Sequence, residues 1–236
     1  MINSNDGFTT HLEKGNLSAA FFDLDDTLLD MHTMKSFASY LGEEGIVRPE
    51  DVIEMLNAVN TAVKEGKKRE QTNEIFFKIF RGMKESEYIE FGKKWWKKAD
   101  KRFNKPVFNE YLKLKESGAH VVAISGSYSC CVKAISEDIG MTAGYGSEPE
   151  IVNSVLTGKV KLPLVGERKK LQLINYLASH PELAGYTLAY GDHSSDFPML
   201  TAVSMANFVK VKSYDSEALN YAKSKKWRVI EVTKRY

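Results

Sequence analysis

The sequence predicts an α/β fold: a doubly wound parallel sheet with a small helical insert after its first strand. Three observations predict it. Short apolar runs at 18–24, 119–125 and 186–191 each end at an acid or a hydroxyl, as buried parallel strands do where their carboxyl ends open onto a site. Helical periods alternate with these runs through the second half of the chain. From about 31 to 105 helical periods continue with few strand signals, so that stretch reads as an insert.

The elements follow in order. SAAFFDL (18–24) is the first strand, closing on the acids of DLDDT. Four helices are expected near 33–42, 50–65, 72–82 and 86–103, broken by LGEEG, KEGKK and RGMKES. In the last of them Ile89, Gly92, Trp96, Ala99 and Phe103 recur at helical spacing, with Tyr88, Trp95 and Arg102 beside them. That pattern predicts one buried Trp with lysine stems along the sides. Pro106 suits the first turn of a fifth helix that Gly118 stops. AHVVAIS (119–125) is the second strand, Gly126-Ser127 a turn, and a helix carrying Cys130 and Cys131 runs to about Ile139. GERKK (166–170) opens another helix after a glycine-containing loop. YTLAYG (186–191) is the third strand, and VKV near 209–211 and RVIEV near 228–232 complete the sheet.

Length and charge bound the function. With 236 residues, one core of 1–30 plus 106–236 and an insert of 31–105 are the expected domains. A net charge of +2 does not by itself imply a nucleic-acid or membrane partner. The charge is unevenly spread: residues 31–105 hold 16 Lys and Arg against 12 Asp and Glu, which would steer anionic substrates. The two adjacent cysteines make no disulfide framework and suggest a reducing compartment. The polar start MINSNDGFTTHLEKGN does not read as a secretory signal, and no apolar run is long enough to span a bilayer, so a cytoplasmic location is expected.

In open sheets of this kind ligands bind outside the carboxyl ends of the strands. Asp23 and Asp25 flank Leu24, and two carboxylates so close call for a cation between them or a proton on one. Asp192 ends a third strand, and an all-oxygen set suits Mg²⁺. DLDDT also reads as an acidic turn capping the next helix. Ser125, Gly126 and Ser127 stand where a strand becomes a helix, a place for an anion, although turns favour such residues anyway. Lys169 or Lys170 would neutralise a phosphate near a helix start, against the helix dipole. GDHSSDFPML (191–200) sets Asp192 and Asp196 four residues apart, costly without a positive group between them. His193 is expected to face solvent.

DLDDT, the strand ending in Ser125, Lys169 and GDHSSD, in that order, resemble the four motifs of the haloacid dehalogenase superfamily. AYGDHSSDFPML, GERK and the helical insert resemble its phosphoserine-phosphatase-like branch, whose hydrolases carry a helical cap after the first motif. The resemblance covers the chain from about residue 18 onwards. It implies a Rossmann-like core and a Mg²⁺-dependent phosphatase that hydrolyses a small phosphorylated metabolite through an aspartyl-phosphate. It implies Asp23 as nucleophile and Asp25 as general acid and base, with Thr27 in support. It implies Asp23, the Asp25 backbone carbonyl and Asp192 as metal ligands, and Ser125, Gly126 and Lys169 as phosphate binders. Asp196 would orient Lys169 or the metal waters.

One departure bears on the substrate. Phosphoserine phosphatases carry a Glu nine residues after the nucleophile that helps hold the substrate's amino group; this chain has His32, which disfavours phosphoserine. His32, Lys35, Lys78 and Arg81 are candidate specificity residues. Two alternatives stand beside hydrolysis: phosphotransfer to an acceptor other than water, and an inactive basic binding module on the same fold. A small metabolite is the expected partner, with no nucleic acid or membrane and a monomer or homodimer.

Overall fold

The computed structural model describes residues 17–183, 185–211 and 216–232; the polar start read above lies outside them. β1 (Leu17–Phe22) is followed by four helices, α1 (Thr33–Glu43), α2 (Pro49–Lys64), α3 (Arg69–Phe77) and α4 (Glu85–Lys98). Then come α5 (Lys105–Glu116), β2 (His120–Tyr128), α6 (Ser129–Ile139), β3 (Ala143–Val152) and β4 (Val155–Leu162). α7 (Glu167–Ala178), β5 (Tyr186–Gly191), the short α8 (Phe197–Leu200), β6 (Met205–Lys210), α9 (Ser216–Ser224) and β7 (Arg228–Glu231) complete the chain.

Among the described residues the sheet has seven strands in the order β4-β3-β2-β1-β5-β6-β7. All neighbours are parallel except β3 and β4. The order turns back at β1, which pairs with β2 on one side and β5 on the other, so the two halves diverge beside DLDDT. Period-two alternation divides the strand residues between two cores. Ala20, Phe22, Ala123, Leu188 and Tyr190 face one; Ala19, Phe21, Val122, Ile124, Ala189 and Phe208 face the other. The first core runs on without interruption into α1–α4, through Phe37, Phe77, Phe80, Trp95 and Tyr128.

The sheet is therefore mostly, not wholly, parallel. β3 and β4 carry Gly, Pro and charges that hide a strand pattern. Their two-residue turn gives them away, since Asn153 and Ser154 both have positive φ (51° and 61°), the conformation of a tight hairpin. The third insert helix starts at Arg69 rather than 72, because the Gln71 side chain accepts from the Lys68 N–H at 3.1 Å. It ends at Phe77 in a 3₁₀ turn, Lys78–Phe80. The fourth stops at Lys98, short of 103, because Ala99 is extended (ψ 142°) and Phe103 bridges to Leu29. Both tryptophans are buried there rather than one. Trp95 donates to Ser36 Oγ at 3.1 Å and Trp96 to Asp138 at 3.0 Å, while Ile89 is exposed. The two cysteines are free and buried on α6.

Candidate active site

β1 ends at Phe22, and its last residues set the following loop. Phe22 stacks on Tyr190 with ring centroids 4.4 Å apart, and the Asp23 N–H donates to the Tyr190 carbonyl at 3.0 Å, so Asp23 leaves the sheet beside β5. The loop is then fastened from behind. Asn104 Nδ2 lies within 3.1 Å of the Asp26 carbonyl, 2.8 Å of the Thr27 carbonyl and 3.3 Å of the Leu29 carbonyl. Asp26 takes a positive φ of 56°, which Asp tolerates better than most residues.

Lys169 projects from the first turn of α7 into this loop and is 2% exposed. Its Nζ lies 2.8 Å from Asp23 Oδ1 and 2.6 Å from Asp196 Oδ1. Burial opposes its charge, but Asp196 and Asp23 outweigh that and raise its pKa, so the ammonium is held charged. Asp196 is fully buried, and its other oxygen accepts from the His193 N–H at 3.1 Å. Gly191 is what allows this approach, since a Cβ there would fall 2.5 Å from the Asp196 Cβ.

Asp23, Asp192 and Asp196 each offer an oxygen within 4.8 Å of the others. Burial, opposed by Lys169 and aided by Asp196 and Asp25, pushes the Asp23 carboxyl up to about 6. Asp192 is raised well above the usual carboxylate range, by burial first and then by Asp196, Asp23 and Asp26, with Thr27 Oγ1 donating to it at 2.9 Å. Three clustered carboxylates, two of them buried and Asp192 half-buried, are under-compensated by one ammonium, and an oxygen-only donor set fits a hard divalent cation. Both oxygens of Asp196 are already engaged, which leaves Asp23 and Asp192 as the carboxylates for a metal.

Asp25 accepts from the Thr33 N–H through Oδ2 at 3.0 Å, and its Oδ1 is buried without a partner among the described residues. Ser125 is buried, and its Oγ accepts from the Ser127 N–H at 3.2 Å, which leaves its own proton for an anion.

Asp23, Asp25, Ser125, Gly126, Lys169 and Asp192 meet on the floor of a cavity of about 590 Å³. Its other wall comes from α1, α2, α3 and the turn before α3, with His32, Lys35, Lys68, Arg69 and Asn73. Thr27 and Asp196 lie behind the floor, against Asp192 and Lys169. Lys78 and Arg81 do not line the cavity, contrary to expectation. They follow the end of α3, and the Arg81 Cβ would lie 3.0 Å from a Cβ at Gly158 of β4. His193 does not simply face solvent: it is half-buried on the cavity wall, and its Nδ1 accepts from the Ser195 N–H at 3.1 Å. His32 lies 3.7 Å from Asp25 and 3.6 Å from Asp26. Asn104 and Asn73 have no sequence signal, since single amides on helices or at their starts follow no motif.

The family model described as haloacid dehalogenase-like hydrolase matches residues 20–201. A protein of Archaeoglobus fulgidus named phosphoserine phosphatase is 30% identical over 88 residues, 37% of this chain and 26% of that protein. One of Streptomyces coelicolor with the same name is 29% identical over 110 residues, 46% of this chain and 27% of that protein. The matches thus span about a quarter of these relatives. Among solved structures, a protein of unknown function from Bordetella pertussis Tohama I superposes with a TM-score of 0.78 at 19% identity, covering 91% of this chain and 98% of the other. A phospho-aspartyl intermediate analogue of phosphoserine phosphatase superposes with a TM-score of 0.64 at 21% identity, covering 93% and 95%.

Proposed function

Since the chain belongs to the haloacid dehalogenase-like hydrolase family, we propose that this cavity hydrolyses a small phosphomonoester through a phosphorylated Asp23. The observation that carries the reading is the convergence of Asp23, Asp25, Ser125, Lys169 and Asp192 on one cavity from separate segments of the chain. Lys169 at 2.8 Å stabilises the Asp23 carboxylate as a nucleophile. Asp23 attacks phosphorus, the bond from phosphorus to the leaving oxygen breaks, and Asp25 gives that oxygen its proton. Asp25 then takes a proton from water, the water oxygen attacks phosphorus, and phosphate leaves as Asp23 is regenerated. Ser125, Gly126 and Lys169 hold the phosphoryl oxygens.

Asp23, the Asp25 backbone carbonyl and Asp192 would hold Mg²⁺, which when bound neutralises charge on the transferring group. We take residues 31–105 as the cap and 1–30 with 106–236 as the catalytic core. His32 stands between two carboxylates and brings no anion of its own, so phosphoserine, with its ammonium, remains disfavoured as substrate.

The test is turnover of p-nitrophenyl phosphate with Mg²⁺. The wild type turns over, and Asp23→Asn loses activity by roughly 10³-fold or more, because the amide is no nucleophile. Undiminished turnover by Asp23→Asn would overturn the mechanism.

A further inference from the structure

The helical insert and the phosphate turn meet at a polar bond that the mechanism above does not use. Asn73 sits on the cavity side of α3 and is 6% exposed. Its Nδ2 donates to the Gly126 carbonyl at 2.8 Å. The same carbonyl accepts from Ser147 Oγ of β3 at 2.8 Å, and that Oγ accepts in turn from the Leu164 N–H at 2.9 Å. Val165 leaves no room at Gly126, where a Cβ would fall 2.9 Å from Val165 Cγ1. The turn after Ser125 is thus gripped from the insert, from the hairpin and from the loop that leads to Lys169.

The amide of Asn73 is half satisfied. A carbonyl accepts only from a donor, so Gly126 fixes which end of the amide is Nδ2. Oδ1 is then buried, with no partner among the described residues. Met34, Phe76 and Val165 line the cavity with it, and Met34 Sδ is 4.0 Å from Nδ2. An orphaned acceptor in such surroundings costs stability that an apolar side chain of similar volume would not. The residue therefore sits here at the expense of stability, with the hold on Gly126 as the return.

We propose that Asn73 is a positioning residue: it seats α3 on the phosphate turn, so that Ser125 and Gly126 stand in place for the phosphoryl oxygens only when the insert is docked. The inference rests on the phosphatase reading of the cavity. It acts through the turn and not through the leaving group, which sets its signature.

The experiment compares the wild type, Asn73→Leu and Asn73→Ala by calorimetric Tm, by kcat and KM on p-nitrophenyl phosphate and glycerol phosphate, and by inhibition with vanadate. Asn73→Leu keeps or raises Tm, yet kcat/KM falls by about 10-fold or more, by the same factor on both esters, and vanadate inhibits more weakly. Asn73→Ala shows the same loss with a lower Tm, and it decides the question if the Leu variant does not fold. A Leu variant within about twofold of wild type overturns the proposal. So does a loss confined to one ester, or one that disappears when the assay is cooled. Absence of turnover by the wild type is a separate result, which overturns the phosphatase reading before any variant is compared.

Discussion

Lys169 Nζ stands 2.8 Å from Asp23 and 2.6 Å from Asp196, with the half-buried Asp192 in the same cluster, so one ammonium serves a group of three carboxylates. Burial pushes the Asp23 carboxyl up to about 6 from the usual 3.8, so between roughly pH 4 and 6 the folded chain keeps a proton that the unfolded chain has released. The stability contributed by that group therefore declines as pH rises through this window, and Asp192 shifts in the same direction. Adding Mg²⁺ in excess raises Tm by about 5 °C at pH 7.5 and by much less at pH 5, measured by scanning calorimetry. Lys169→Met leaves the carboxylates uncompensated and removes the proposed phosphoryl partner. Turnover falls by about 10²-fold or more in steady-state assays, and the added stability from Mg²⁺ grows, because the metal becomes the remaining cation.

Among the secondary-structure elements, the loop after β1 and the hairpin β3–β4 do the positioning. Asn104, the residue just before α5, reaches the Asp26, Thr27 and Leu29 carbonyls of that loop. Asn104→Ala lowers unfolding free energy by about 2 kcal/mol in urea titration and reduces kcat more than it raises KM, because the loop that carries Asp25 loosens. Such contacts mark what was legible. Asp23, Ser125 and Asp192 could be read because parallel strands present their carboxyl ends to one edge; a cation at the helix start after Gly166 needs a reason, but spacing alone left Lys169 and Lys170 equal, and only the family resemblance singles out Lys169. Lys78 and Arg81 could not be placed, since a helix that ends at Phe77 turns the following residues toward β4. β3 and β4 were invisible to apolar alternation, and Asn73 and Asn104 take their roles from carbonyls far away in sequence.

Taken together, the molecule separates its charges: acids gather at the strand ends, and the insert facing them is the more basic part. On the far side of β5 a different polar cluster binds the last strand to the rest. Arg228 Nη1 donates to Glu110 at 2.8 Å and to Asn207 at 3.1 Å, and the Tyr190 hydroxyl donates to Glu110 at 2.9 Å. Removing one partner of so enclosed a pair is costly. Arg228→Met lowers stability by about 3 kcal/mol in denaturant unfolding, while kcat/KM of the folded fraction stays within about twofold of wild type.

The hairpin has a consequence for how such chains can be recombined. Gly82 N–H donates to the Leu156 carbonyl at 2.9 Å, Leu156 N–H to the Met83 carbonyl at 2.8 Å, and Glu85 N–H to the Ser154 carbonyl at 3.0 Å. These are backbone bonds, indifferent to side chains but strict about spacing. A transplant that moves residues 31–105 into a related scaffold leaves half of that seam behind. The portable unit is discontinuous: the insert together with 143–162, two grafts that have to travel as one.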